Sequence, residues 1–235
     1  QRFALFFPER RPFFQEGADL FATPVNLAFT RTIVDPDFGG KATGKVGGHA
    51  FGALVTRDRV TSVLVPGPHG SSSVFLEEPL WTGMGTYRGD VTHTSTEGGL
   101  VTVREGAAYH NRVAAADAFF RPLPALRVQL QVAGSDTDDP EGVPAPADRP
   151  DRYTGSLLFA EARFDNRSWV ATAGYRRQDA GFRADAGFVP RTGVTQQWAC
   201  ASRRWSGTSA SAVSELRLAG GGWYDHTTGG GELLS

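Results

Sequence analysis

Glu9 and Glu16 bracket the run Arg10-Arg11-Pro12-Phe13-Phe14-Gln15. Two carboxylates flanking a bond are the minimum equipment of glycoside hydrolysis. Nothing in the sequence fixes their separation, because Pro8 and Pro12 break the one helix-permissive segment, 9–22. Carboxylates paired with neighbouring arginines are therefore the stronger expectation. His49, His69, His93, His110 and His226 show neither HxxxH nor HxH spacing, which leaves zinc without a ligand set. No G-x-S-x-G elbow offers a serine nucleophile. Cys200, in Trp198-Ala199-Cys200-Ala201, reads as a small lipid-facing or core residue. As the single cysteine it also excludes a disulfide framework. Asp136, Asp138, Asp139 and Glu141 lack the Gly-punctuated spacing of a calcium loop and read as a solvated one. Asn166-Arg167-Ser168 fits a glycosylation triplet, but a tight hairpin explains it better. No catalytic residue, metal or cofactor is assigned, and a non-enzymatic role is favoured.

The elements that would position any such group are legible from periodicity. In Leu126-Arg127-Val128-Gln129-Leu130-Gln131-Val132, the residues Leu126, Val128, Leu130 and Val132 share one face. Arg127, Gln129 and Gln131 share the other, as in a strand with one apolar and one wet side. The pattern recurs less cleanly. Arg88 and Asp90 oppose Tyr87 and Val91, and Leu158, Ala160, Ala162 and Phe164 oppose Glu161, Arg163 and Asp165. Trp169, Ala171, Ala173 and Tyr175 oppose Thr172 and Gly174, and Leu216 and Leu218 oppose Glu215 and Arg217. Phe182, Ala184, Ala186 and Phe188 likewise oppose Arg183 and Asp185.

The candidate strands are 25–33, 39–47, 49–60, 85–96, 99–105, 110–121, 125–134, 154–165, 168–178, 182–205 (read as two) and 210–224. Many exceed the ~5–6 residues usual in soluble sheets. They suit the ~9–11 residues of a tilted strand crossing a bilayer. Gly47-Gly48, Asp165-Asn166-Arg167 and Asp179-Ala180-Gly181 mark tight turns. Residues 61–84 and 135–152 read as long loops, the second acidic and proline-rich. Short turns at one end and long polar loops at the other are the plan of an outer-membrane barrel.

Composition agrees with that plan. Apolar residues make up 40% of the 235, with mean hydropathy -0.28, which excludes wholesale disorder. No run approaches the ~18 apolar residues of a membrane-spanning helix. The 24 basic and 25 acidic side chains nearly cancel, so nucleic acid is excluded as the main partner. Glycine, at 29, is enriched over the ~7% of average usage. The start, Gln1-Arg2-Phe3, is neither a Met initiator nor a charged leader, and Gly229 to Ser235 carries no strand closure. The expectation is a processed chain or a fragment of a larger barrel.

The run Leu5-Phe6-Phe7-Pro8-Glu9-Arg10-Arg11-Pro12-Phe13-Phe14-Gln15-Glu16-Gly17 resembles a signature close to FFPEKRPFFLEG in a large bacterial family of unknown function. Arg10 replaces its Lys and Gln15 its Leu. Further matches follow in order: Gly40 to Lys45, Asn111-Arg112-Val113 with Asp117, Asn166 to Trp169, and Phe182 to Gly193. The resemblance implies an outer-membrane β-barrel-like C-terminal region. In that family it often follows a carbohydrate-binding family 9-like module, which residues 1–235 do not include. It implies a bacterial outer-membrane location and carries no settled activity.

The sequence thus predicts an all-β, antiparallel, up-and-down transmembrane-type barrel of about ten to twelve strands. An N-terminal segment, 1–24, serves as plug or anchor through Phe7, Pro8, Glu9, Arg10, Arg11, Pro12, Phe13, Phe14 and Glu16. The barrel domain is 25–235. Arg88, Asp90, Arg127, Glu161, Arg163, Arg183, Asp185, Glu215 and Arg217 are expected to form a charge ladder in the lumen. Trp169, Tyr175, Trp198, Trp205 and Trp223 are expected in the interfacial aromatic girdle. The expected partner is a lipid bilayer or detergent, with other envelope proteins and a small polar or saccharide-like solute beside it. The function is a scaffold or passage for that solute. Two alternatives stand beside it: a soluble all-β carbohydrate-binding or glycoside-hydrolase-associated module, and a structural subunit of a larger membrane complex.

Overall fold

A computed structural model describes residues 9–76, 78–139, 143, 152–207 and 214–234. Twelve strands follow one short helix, α1 (Pro12–Gln15), and two 3-10 turns, Ala18–Phe21 and Thr30–Thr32. The strands are β1 (Pro36–Val46), β2 (His49–Asp58), β3 (Thr61–Pro66), β4 (Ser71–Leu76), β5 (Leu80–Thr92) and β6 (Ser95–Glu105). They continue as β7 (His110–Leu123), β8 (Leu126–Asp138), β9 (Arg152–Asp165), β10 (Trp169–Gln178), β11 (Val194–Ser206) and β12 (Glu215–Thr227).

Ten of them form one antiparallel sheet in the order β1-β2-β5-β6-β7-β8-β9-β10-β11-β12, and β3 and β4 pair separately. The strands of the large sheet follow one another in chain order, and four links at one end are tight: Gly47-Gly48, His93-Thr94, Pro124-Ala125 and Asn166 to Ser168. Gly47 adopts a left-handed φ of 57° that the two-residue turn requires. At the opposite end the links are longer, including 179–193 and the excursion that carries β3 and β4. Among the described residues no ladder joins β1 to β12, which stand at the two edges of the sheet, and the end of β12 is bridged by Leu233.

Four expected elements differ. Residues 25–33 form no strand. Their polar groups bond across the sheet face, with Val25 N donating to Gln131 Oε1 at 2.6 Å and Phe29 N to Ala186 O at 2.7 Å. Residues 182–193 alternate as a strand would, yet both rows are buried: Phe182 is 1% exposed and Arg183 2%. Its amides bond to side chains, Arg183 N to Ser135 Oγ at 3.1 Å and Asp185 N to Asn111 Oδ1 at 2.9 Å, rather than to a ladder. The expected loop 61–84 contains the β3–β4 hairpin, anchored where Val63, Leu80 and Tyr109 cluster. The expected loop 135–152 is shortened by β8, which runs on to Asp138; most of its remainder lies outside the described residues.

The two faces of the large sheet differ in kind. One is covered. Leu54, Met84, Leu100, Val113, Leu157 and Phe159 pack there against Leu20, Phe21, Leu27 and Ile33 of the N-terminal segment and Phe182 and Ala186 of the 179–193 segment. The two covering segments also bond to each other, Phe188 N donating to Asn26 O at 2.8 Å. Gly155 permits the approach: a Cβ there would lie 2.0 Å from Phe182 N. The other face is bare among the described residues. Leu130 and Val132 are 40% and 52% exposed on it, while Gln131 between them is 1% exposed on the covered side. The apolar row of the alternation faces outward and the polar row faces in.

Candidate functional site

The covered face gathers most of the residues expected to do chemistry, in three groups. The first is the N-terminal motif. Glu9 receives hydrogen bonds from Arg11 Nε at 3.0 Å, Arg11 Nη2 at 2.8 Å and Thr30 Oγ1 at 2.8 Å. Arg11 also donates to the carbonyls of Ile33 and Thr30 at 2.8 and 2.9 Å and stacks 4.2 Å over the Phe14 ring. Burial alone would raise the Glu9 carboxyl; the bonds from Arg11 and Thr30 outweigh it and hold the group at about 2. Pro12 opens the short helix α1, whose first N–H would lack a partner in any case. Lys41 of β1 donates to the carbonyls of Phe13 and Glu16, tying the motif to the sheet. Phe14 is buried, Phe13 half-exposed, and Arg10 and the Glu16 side chain face outward. The geometry is an anchor's: Glu9 is consumed by a structural pair and does not confront Glu16 across a cleft. Phe7 and Pro8 of the expected plug lie outside the described residues.

The second group is a buried ionic cluster. Arg183 and Asp185 belong to the 179–193 segment, not to a lumen-facing strand; the structure corrects that expectation. Arg183 Nη1 bonds both oxygens of Asp139 at 2.6 Å, and Arg183 Nε bonds Asp185 Oδ1 at 2.8 Å. Tyr153 receives an Arg183 hydrogen bond at 2.9 Å and donates to Asp139 at 2.9 Å. Tyr109 donates to Asp185, and Arg104, fully buried, donates to the Asp185 carbonyl at 2.9 Å. Asn111 closes the cluster, donating to the Arg183 carbonyl at 3.1 Å while accepting from Asp185 N. Burial pushes the Tyr109 phenol well up, and the Asp185 charge adds to it. Burial opposes the Arg183 cation, but Asp185, the two tyrosines and Asp139 outweigh it and keep the guanidinium charged. This is a lock holding an irregular segment onto the sheet. Sequence periodicity missed Tyr109, Asn111 and Tyr153, of which Asn111 alone fell in a quoted motif; Asp139, expected in a solvated loop, is instead buried against Arg183.

The third group is the strand-borne part of the ladder. Arg88, Asp90, Arg127, Glu161, Arg163, Glu215 and Arg217 all fall on the covered-face side by register. Their pairing differs from expectation. Arg88 lies 3.8 Å from Asp117, not beside Asp90, and donates to the Ala22 carbonyl at 2.9 Å. Glu161 accepts from Trp198 Nε1 at 3.3 Å, and Arg163 pairs with Asp165 at 3.0 Å. Arg217 donates to Ser202 Oγ at 3.2 Å, while Arg127 and Glu215 are exposed. Among the described residues the along-strand contact that forms here is Arg163 with Asp165, one step beyond the Glu161–Arg163 pair the alternation implied.

The aromatics divide between faces. Trp169, Tyr175 and Trp205 project from the bare face, and Arg203 lies 5.2 and 4.9 Å from the Trp169 and Trp205 rings. Trp198 and Trp223, opposite each other in the register, point to the covered side, where Trp198 packs on Phe159. Of the five aromatics expected in a girdle, three project from the bare face and two do not. Cys200 also falls on the covered-face side, with Thr172 opposite, and is exposed. Among the described residues no three His, Cys, Asp or Glu side chains gather as a metal site, and no helix is long and apolar enough to cross a membrane. Compared with protein-family models, curated proteins and solved structures, the chain matches none.

Proposed function

We propose that this chain forms wall and plug of an outer-membrane β-barrel, a non-enzymatic scaffold or passage for a small polar solute. One observation carries the reading. The uncovered face presents Val55, Val101, Leu130, Val132 and Leu158, each 40–52% exposed. By register its middle rows add chiefly alanine, glycine and apolar residues, with Gln197 among them, while Arg57, Glu105, Arg112, Asp136, Arg152 and Arg177 (the last opposite Leu158) gather toward the long-loop end. Water does not favour so broad an apolar surface on a soluble chain, and hydrocarbon does. The polar row turned inward, and the segments packed against it, supply what a barrel interior requires. Strands of 10 to 14 residues in the large sheet are long enough to cross a bilayer with tilt. The N-terminal signature supports the same location.

Trp169 and Trp205 lie on the apolar side and Trp198 and Trp223 on the polar side, so lipid contact is readable by fluorescence. In vesicles of brominated phosphatidylcholine, a variant keeping Trp169 and Trp205 is expected to be quenched strongly. One keeping Trp198 and Trp223 is expected to be quenched weakly. Equal quenching of the two variants, or a chain that stays monomeric and unquenched in buffer without detergent, removes the membrane reading.

A further inference from the structure

At the tight-turn end of the covered face the N-terminal segment stands off the sheet. A cleft of about 400 Å³ opens between Ala22 to Pro24 and the inward side chains of β5 to β8. That volume falls within the ~300–1,000 Å³ typical of small-molecule sites. We propose that this cleft is a binding site for a neutral, hydroxyl-rich ligand of about monosaccharide size. The inference deepens the solute half of the function proposed above and rests on it only for how the ligand arrives.

Asp117 carries the argument. Its side chain is 10% exposed, and its nearest cation is Arg88 Nη2 at 3.8 Å, beyond hydrogen-bond reach. Among the described residues no donor satisfies its oxygens. The carboxylate is shielded from bulk solvent and reaches it only through the cleft, so the partner its oxygens lack must come from water or a ligand there. Gly98 gives it this position. A Cβ there would lie 2.8 Å from Asp117 Oδ1, so the absent side chain is what lets the carboxylate turn into the cleft.

The remaining walls set the ligand's chemistry. Arg88 is tethered through Nη2 to the Ala22 carbonyl, and its buried Nε has no partner in the described residues. Thr96 and Gln129 line the same space, offering a hydroxyl and an amide. Phe119 and Pro24 supply an apolar wall. One cation and one anion cancel, so neither an anionic nor a cationic ligand gains from the site. Mixed donors and acceptors beside a ring match vicinal hydroxyls, each of which both donates and accepts. A hydroxyl donating to Asp117 while accepting from Arg88 bridges the 3.8 Å gap that neither residue closes alone.

The test is calorimetric titration of the full chain, folded in an amine-oxide detergent that carries no sugar headgroup. D-glucose and maltose are the neutral probes, with glucose 6-phosphate and glucosamine as charged comparators. At least one neutral probe is expected to bind, more tightly than either charged one. Asp117→Asn is expected to weaken it about tenfold or more, because a group built to accept from hydroxyls is then half-replaced by a donor. Circular dichroism checks the variant's fold. If Asp117→Asn does not fold, Gln129→Leu must produce the loss instead. No heat with either neutral probe, an affinity unchanged by the substitution in a folded variant, or preference for a charged probe overturns the proposal. Vesicle swelling is a separate arm. Binding without swelling upholds the cleft and defeats only the passage.

Discussion

Placing an arginine at Val132 separates a lipid-facing sheet from a water-facing one. Val132 lies six residues from each end of β8, Leu126–Asp138, and is 52% exposed on the uncovered face. At ~3.3 Å per residue it stands about 20 Å along the strand from either end. A tilt of ~45° reduces that to about 14 Å of depth, close to the middle of a ~25 Å apolar band. At such a depth an arginine costs about 2–4 kcal/mol, roughly a 30- to 900-fold change in the folding constant. The matched control is Val46→Arg, which is 74% exposed at the end of β1 beside the Gly47-Gly48 turn. Near an interface the same substitution costs about 0–1 kcal/mol. Were both positions in water, each change would fall within about 0.5 kcal/mol. Urea titrations of the chain refolded into phosphatidylcholine vesicles, followed by tryptophan fluorescence, measure both. Equal shifts for V132R and V46R, or two shifts below about 0.5 kcal/mol, would falsify the assignment of this face to hydrocarbon.

Further outcomes follow from the covered face. Arg183→Met leaves Asp139 and Asp185 buried without their cation, a change that costs about 3–5 kcal/mol. Hydrogen exchange at the amides of Arg183, Asp185 and Phe188 should accelerate by roughly 10²–10³-fold while the centre of β8 stays protected; uniform acceleration would mean that the cluster holds the whole sheet rather than one segment. Glu9 has a folded-state value near 2 against an ordinary 4.5, so its contribution is fully present above the ordinary value and lost as pH falls through about 2. Protease accessibility of the N-terminal segment should therefore rise between pH 4.5 and 2 in the wild type. In Glu9→Gln it should already be raised at pH 7, and a variant with the wild-type profile refutes the anchoring role.

The strand-forming segments were legible because alternation is a local property. Seven residues from Leu126 to Val132 suffice to state which side chains share a face, and the hairpin turns keep neighbours in chain order. The same reasoning failed at 182–193. Period-two alternation reports that two rows point in opposite directions, not that one of them meets solvent. There Phe182 sits in the core on one side while Arg183 is buried among Asp139, Asp185 and Tyr153 on the other. An arginine ringed by acceptors drawn from three places in the chain has no local signature.

The sequence by itself determined an antiparallel meander of long strands with one apolar row, since side-chain direction follows from backbone geometry alone. Tertiary structure decided which partners the charges found. Arg88 meets Asp117 across β6 rather than Asp90 along its own strand. It also set Trp223 opposite Trp198 and Trp169 opposite Arg203, through a register that only the paired neighbour fixes. Proximity across a sheet depends on which residues stand opposite, and that is set by closing distant loops and packing a core, neither of which a window of sequence contains.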